Sequence, residues 1–187
     1  MPVIQFKQTG KEDDMTNEIL EAIKKRRSIR AYKPDQITAD ELNAVLEAGT
    51  YAASGMGWQS PKFVAVQNRE TRDLLSRLNA EVMGNSGDPF YGAPTIIVVF
   101  ADKDRFTWHE DGSLAIGNML LAAYAAGLGS CWIHRAREVF SSIEGNKLMQ
   151  RWGISSNYVG IGHVALGYAA TPLPPAKPRK PDYIVRD

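Results

Sequence analysis

Cysteine is almost absent. Cys131 is the only one in 187 residues, which excludes an intrachain disulfide framework and fits a reducing compartment. Histidine is scarce too. His109, His134 and His163 lie too far apart in the chain to nominate a catalytic pair, and no Cys/His cluster has metal spacing. An excess of one charge is also missing. Twenty-two Lys and Arg against 21 Asp and Glu leave a formal net charge of +1, which argues against nucleic acid as the main partner. There is no spanning hydrophobic run: the longest apolar stretch, Met119–Ile133, is interrupted by Gly127 and Gly129 and falls short of the ~20 residues a membrane helix needs. The opening MPVIQFKQTGKEDD lacks a charged-then-apolar leader pattern. The expectation is a soluble, cytoplasmic protein. The phosphate-loop, dinucleotide, nucleophile-elbow and zinc-helix signatures are all missing. With no obvious side-chain nucleophile, a bound organic cofactor is the natural carrier of any chemistry.

What is there begins with Lys24–Tyr32, KKRRSIRAY, where five of the first seven residues are cationic. Arg26, Ser28 and Arg30 fall at i, i+2 and i+4, so an extended chain puts all three on one side. Two guanidinium forks and a hydroxyl suit a phosphate or carboxylate. The plainer alternative is a solvated basic helix end complementing the helix dipole.

Residues 1–13 have no clear period and are expected to form an arm or loop. A helix follows from about Met15, capped by Asp14 or Thr16, with Ile19, Leu20 and Ile23 on one face. Thr38-Ala39-Asp40-Glu41 forms a capping box for a helix ending near Ala52. Ala53–Pro61 (ASGMGWQSP) is a loop whose glycines allow close backbone approach, with Gln59 offering a donor and an acceptor. Lys62–Gln67 is a strand, and Asn68 caps the next helix. Gly84–Gly92 is a loop. Thr95–Phe100 (TIIVVF) is a buried strand. From about His109 to Leu128 runs a helix apolar on nearly every side, expected to be central. Its small residues Gly112, Gly117, Ala122 and Ala123 permit close packing, including across a subunit boundary. Ser130–Ile133 is a short strand in which Cys131 reads as a core residue. One helix is expected over Val139–Trp152, and a last strand over Tyr158–Tyr168 with His163 as a satisfied structural residue. The tail from Thr171 carries five prolines and Lys177-Pro178-Arg179-Lys180. It can be neither helix nor central strand and is expected to be an extended arm lying on a partner subunit.

Taken together these stretches resemble the nitroreductase family of flavin mononucleotide (FMN) enzymes, in one unbroken order over about nine-tenths of the chain. RRSIRAY resembles the family's R-x-S-x-R opening. ASGMGWQSPKFVAV is similar to its P-S-x-x-N-x-Q-P-W segment. YGAPTIIVVF, DGSLAIGNMLLAAYAAGLGSCWI, GHVALGY and KPRKP resemble its core strand, central helix, closing strand and basic tail. The resemblance implies an α+β class: a three-layer α/β/α fold, with a mixed, mostly antiparallel central sheet surrounded by helices, in an intertwined homodimer. It implies one domain over 1–187 with 171–187 as the arm. It also implies that Arg26, Ser28 and Arg30, with Arg27 adjacent, hold the FMN phosphate and ribityl end, and that Lys177 and Arg179 complete the anion site. Ala53, Ser54, Gly55, Gly57 and Gln59 would reach the flavin ring from the second subunit. Backbone near Ile133, His134 and Arg135 would face the hydride-accepting side. No catalytic side chain and no metal is implied; NADPH or NADH donates and a nitroaromatic, quinone or related small acceptor receives. Gly57 stands where the family often has Asn, Pro61 where Trp is common, and Ser60 where Pro is. The stretch between Leu128 and Tyr158 is too short for the excursion that covers the substrate in larger members. The alternatives are an FMN carrier or sensor without turnover, a flavin enzyme of the same fold doing other chemistry, and a nucleic-acid module built on Lys24–Arg30.

Overall fold

The computed structural model describes residues 17–187; the arm expected over 1–13, and the caps expected at Asp14 or Thr16, lie outside them. The elements run in the order α1 (Glu18–Lys25), α2 (Ala39–Thr50), β1 (Pro61–Val66), α3 (Arg69–Met83), β2 (Thr95–Asp102), α4 (Trp108–Ala125), β3 (Gly129–Ile133), α5 (Ala136–Ser141), α6 (Ile143–Arg151) and β4 (Tyr158–Gly167). The strands form one sheet in the order β1-β2-β4-β3, with every neighbouring pair antiparallel. The one parallel contact among the described residues is an isolated bridge from Ser28 to Ser130. It lays the basic stretch along the outer edge of β3.

β2 is the axis of the molecule. Its β-branched run is buried on both faces, and the period of two deals its side chains alternately to two cores. Ile96, Val98 and Phe100 join Leu75 and Leu78 of α3, Phe140 of α5 and Leu148 of α6. Ile97, Val99 and Ala101 join Val45 of α2 and Ile116 and Met119 of α4. An antiparallel sheet often leaves one face wet; here helices cover both, which gives the three layers. Each fully buried Ile, Val or Phe is worth about 1.5–3 kcal/mol, so β2 anchors a large share of the fold.

Several local signals act as expected. Thr38 and Glu41 close the capping box: the Glu41 N–H donates to Thr38 Oγ1 at 3.2 Å and the Thr38 N–H to Glu41 Oε2 at 2.8 Å. Asn68 caps α3 by accepting from the Thr71 N–H. α4 lies against the sheet along one side, burying Gly112, Ala115, Ile116, Met119 and Ala123, with Gly112 packed so close to Ile161 that an added Cβ would lie 2.5 Å from it.

Two expectations need correction, the cap of α1 and the single helix over Val139–Trp152. α1 is capped by Asn17, whose Oδ1 accepts the Leu20 N–H at 2.8 Å; a carboxamide one residue inside Thr16 competes well for that role. The face of α1 carrying Ile19 and Ile23 does not pack inward, and the two are 70% and 53% exposed. The single helix expected over Val139–Trp152 is two. The chain breaks at Ser142 (φ −73°, ψ 161°), whose hydroxyl accepts the Gly145 N–H to start α6. Serine side chains compete with helical hydrogen bonds and prefer caps, and at Gly145 a Cβ would meet the Val139 carbonyl oxygen at 2.0 Å. Beyond Ala170 there is neither helix nor strand, and every residue is exposed.

Candidate functional site

The basic stretch leaves α1 at Arg26 and becomes extended. The Ile29 N–H donates to the Ser130 carbonyl at 3.0 Å and Ile29 is buried. Tyr32 is buried too, its hydroxyl donating to the Ile29 carbonyl. These two buried anchors pin the segment to β3 and β4. Arg26, Ser28 and Arg30 all lie about the Cys131 thiol: burial pushes that thiol up, while Arg30, a hydrogen bond with Ser28, and Arg26 pull against it. Cys131 therefore stays a protonated core residue.

Arg26 and Arg27 open onto a cavity of about 800 Å³. Among the described residues it is lined by six cations (Lys24, Arg26, Arg27, Lys177, Arg179 and Lys180), with Ile23 and Tyr183 among its apolar walls, and by no carboxylate. Arg26 Nη1 and Arg27 Nε are buried and have no hydrogen-bond partner. Burial lowers the Arg26 pKa, with Arg27 adding to it. An unmet buried donor costs free energy, more when it is charged, so these nitrogens are suited to an incoming anion. Arg27 Nη1 is already spent on the Lys24 and Arg26 carbonyls. Ser28 and Arg30 do not line this cavity; Arg30 lies 6.0 Å from the Tyr91 ring centroid.

Ile133, His134 and Arg135 turn the chain from β3 into α5. Arg135 is left-handed (φ 76°). Asn79, missed by the sequence reading, holds the turn: its Nδ2 donates to the His134 carbonyl at 2.8 Å and its Oδ1 accepts from Arg135 Nε at 3.1 Å. Its signal was available, since Asn79 shares a helical face with Leu75 and Leu78 and is fully buried among them. Opposite Ile133 in the register is His163. It is fully buried, tilted against Phe90 and Phe140, and its ring nitrogens meet no partner in good hydrogen-bond geometry, the backbone at Ile133 and His134 being their polar neighbours. Burial holds the imidazole down to about 4, against an opposing pull from the backbone at Ile133 and His134.

Ala53, Ser54, Gly55, Gly57 and Gln59 sit elsewhere. They precede β1, whose Pro61 pairs with Ala101, while the anion cavity adjoins Ser130, whose row across the sheet leads through Leu166 to Thr95. β2 separates the two ends by about 20 Å at ~3.3 Å per residue. Gly55–Gly57 forms one 3₁₀ turn. Met56, Gly57 and Gln59 all have positive φ, and the Gln59 N–H donates to Ser54 Oγ at 3.0 Å. Trp58 packs edge-on to Phe106, with the Arg105 guanidinium 5.1 Å from its ring.

Comparison with known proteins decides the relationship. The family model described as the nitroreductase family matches residues 23–168. The chain belongs to the nitroreductase family. A crystal structure of a nitroreductase with bound FMN from Bacteroides fragilis superposes with a TM-score of 0.85 at 38% identity, covering 92% of this chain and all of that one (100%). A nitroreductase with bound FMN from Desulfitobacterium hafniense gives 0.82 at 27% identity, again over 92% and 100%. A "putative NADH dehydrogenase/NAD(P)H nitroreductase" of Archaeoglobus fulgidus is 34% identical over 157 residues, 81% of this chain and 85% of that one. Among the described residues no helix is long and apolar enough to cross a membrane, and no group of three or more His, Cys, Asp or Glu could hold a metal ion.

Proposed function

We propose that this nitroreductase-family chain is an FMN-dependent NAD(P)H oxidoreductase, a cytoplasmic homodimer with flavin at its subunit interface and one domain per chain. The observation that carries this is the pair of buried, unpartnered guanidinium nitrogens on Arg26 and Arg27 at a cavity that the described residues wall with six cations and no carboxylate. Arg26 and Arg27, with Lys177 and Arg179, hold the phosphate. Ser28 and Arg30, at the same edge of β3 but outside that cavity, take the ribityl end. Backbone groups of Ile133, His134 and Arg135 face the ring, fixed from behind by Asn79. FMN, when bound, supplies the chemistry: hydride enters from NADPH or NADH and leaves to a nitroaromatic, quinone or related small acceptor in ping-pong order.

Two observations support the dimer. The loop Ala53–Gln59 lies at the opposite end of the sheet from this chain's own cavity, so it serves the flavin of the partner. The apolar surface left outside is also considerable: Ile19 and Ile23 on α1, and a stripe of α4 with Leu114 51% exposed and Gly117 open. Such uncovered surface marks an interaction face.

The test is the visible spectrum of the purified protein, followed by anaerobic NADPH and then NADH. Flavin absorbance bleached by either donor is expected. Bound flavin that neither donor reduces makes the protein a carrier. A colourless protein that takes up no added FMN overturns the proposal. Arg26→Ala should lose at least about tenfold in FMN affinity while keeping its fold, as expected when a charge-assisted contact goes. Full flavin content in that variant would remove the phosphate assignment.

A further inference from the structure

Asp111 is the charged side chain the flavin argument leaves unused. It lies in the first turn of α4 and is only 2% exposed. A buried carboxylate is retained only where its oxygens are met. Both are, and by the same loop. Asp111 Oδ1 accepts the Gly55 N–H at 3.0 Å, and Asp111 Oδ2 accepts the Ser60 hydroxyl at 2.7 Å. One carboxylate therefore grips two points five residues apart, on either side of the Gly57–Gln59 tip.

The surrounding contacts show how little freedom remains. Gly55 meets Thr107 so closely that an added Cβ would lie 2.2 Å from its hydroxyl oxygen. That hydroxyl is itself buried without a partner, so it offers the loop no polar hold. Inside the clamp, Ser54 Oγ takes the Gln59 N–H, the Ser54 carbonyl takes the Gly57 N–H and the Gly55 carbonyl takes the Trp58 N–H. The loop's amide donors are largely consumed holding its own shape. The Gln59 carboxamide, by contrast, is exposed and makes no hydrogen bond among the described residues. Gln59 has φ +50°, a conformation that costs a non-glycine residue and persists only where neighbouring contacts impose it.

We propose that Asp111 is a positioning residue for the flavin of the partner subunit: by fixing both ends of the 55–60 turn it sets the presentation of the Gln59 carboxamide to that flavin. This rests on the reading above that the loop serves the partner's flavin. Asp111 itself touches no cofactor. It acts through Gly55, Ser60 and the strained tip between them.

The test uses the full-length protein and FMN binding followed by fluorescence, with thermal unfolding recorded for every variant. Asp111→Ala should weaken FMN binding about tenfold, the scale of removing a charged hydrogen-bonding partner. Asp111→Asn keeps an acceptor for Gly55 and offers its amide to the Ser60 oxygen, so it should restore affinity to within about threefold of the parent. Because the effect runs through Gln59, Asp111→Ala should cost little further affinity in a Gln59→Ala background, a non-additivity that simple destabilisation does not produce. If Asp111→Ala does not accumulate, Ser60→Ala releases one half of the clamp and should weaken FMN binding about threefold, again only while Gln59 is present. Parent-like affinity in these variants, or losses that multiply with Gln59→Ala, overturns the proposal. An unaltered protein that takes up no FMN overturns the reading of the site instead, and that control is measured first.

Discussion

His163 is the side chain whose burial carries the clearest consequence for solution behaviour. In the unfolded chain its pKa is the ordinary 6.5, while in the folded protein it is held near 4. The unfolded state therefore binds more protons between those values, and stability falls as pH drops through that window. The loss should reach on the order of 3 kcal/mol by pH 4. Urea unfolding at pH 7, 5.5 and 4 measures it, and His163→Leu should flatten that part of the profile. A slope unchanged by the substitution would assign it to other groups. Single side chains were unevenly legible in the sequence. The cations of KKRRSIR were conspicuous because charge clusters stand out in a chain of net charge +1. Asp111 was not, because an acid in the first turn of a helix is ordinary; only its burial and its two loop partners mark it out.

Elements bring glycine spacing into play. β4 carries a register irregularity: Val99 pairs with Gly162 and Phe100 with Gly160, leaving Ile161 as the extra residue. The bulge sends Ile161 into the core against Gly112 and brings Gly160 against the start of α5, where a Cβ would lie 2.6 Å from the Ala136 carbonyl oxygen. Backbone cannot yield as a side-chain tip does. Gly160→Ala should cost about 1–3 kcal/mol and disturb the 133–136 turn, lowering flavin affinity together with the melting temperature. Melting and FMN titration of the same sample check both; an unchanged melting temperature would show that α5 shifts freely. The alternate glycines at 160 and 162 were visible in the sequence, as were the strands and the Thr38 capping box, because those signals are local. The split of 139–152 into α5 and α6 was not. Apolar points such as Phe140, Ile143, Leu148 and Met149 suit one helix and mask the break at Ser142, which leaves the helix to cap α6 in a turn so tight that position 145 admits only glycine.

Between the sheet and the tail, the anion site is divided in an unequal way. Tyr32 and Ile29 tie one half to β3 and β4. Among the described residues none from Thr171 onward makes an ion pair or a hydrogen bond to the body of the protein, and all of them are exposed. Removing residues 171–187 should therefore leave the melting temperature of the flavin-free protein nearly unchanged while FMN content on purification falls sharply. A large drop in melting temperature without FMN would show instead that the tail is part of the folded framework. That the tail would be irregular was plain from its prolines. That Lys177 and Arg179 would come beside Arg26 and Arg27 was expected only from the family resemblance of the tail, and the chain's path in space brings the four together at one cavity.

The bridge from Ser28 to Ser130 has a kinetic meaning. The half of the anion cradle joined to the sheet stands assembled before any ligand arrives, so capture requires no folding step and proceeds at the pace of encounter, hastened by the field of the clustered cations. Release is a different event, because residues 176–184 must first part from the ligand they help enclose. Entry and residence are thus governed by different stretches of one chain, and residence can be tuned in the tail without altering the sheet edge that receives the flavin.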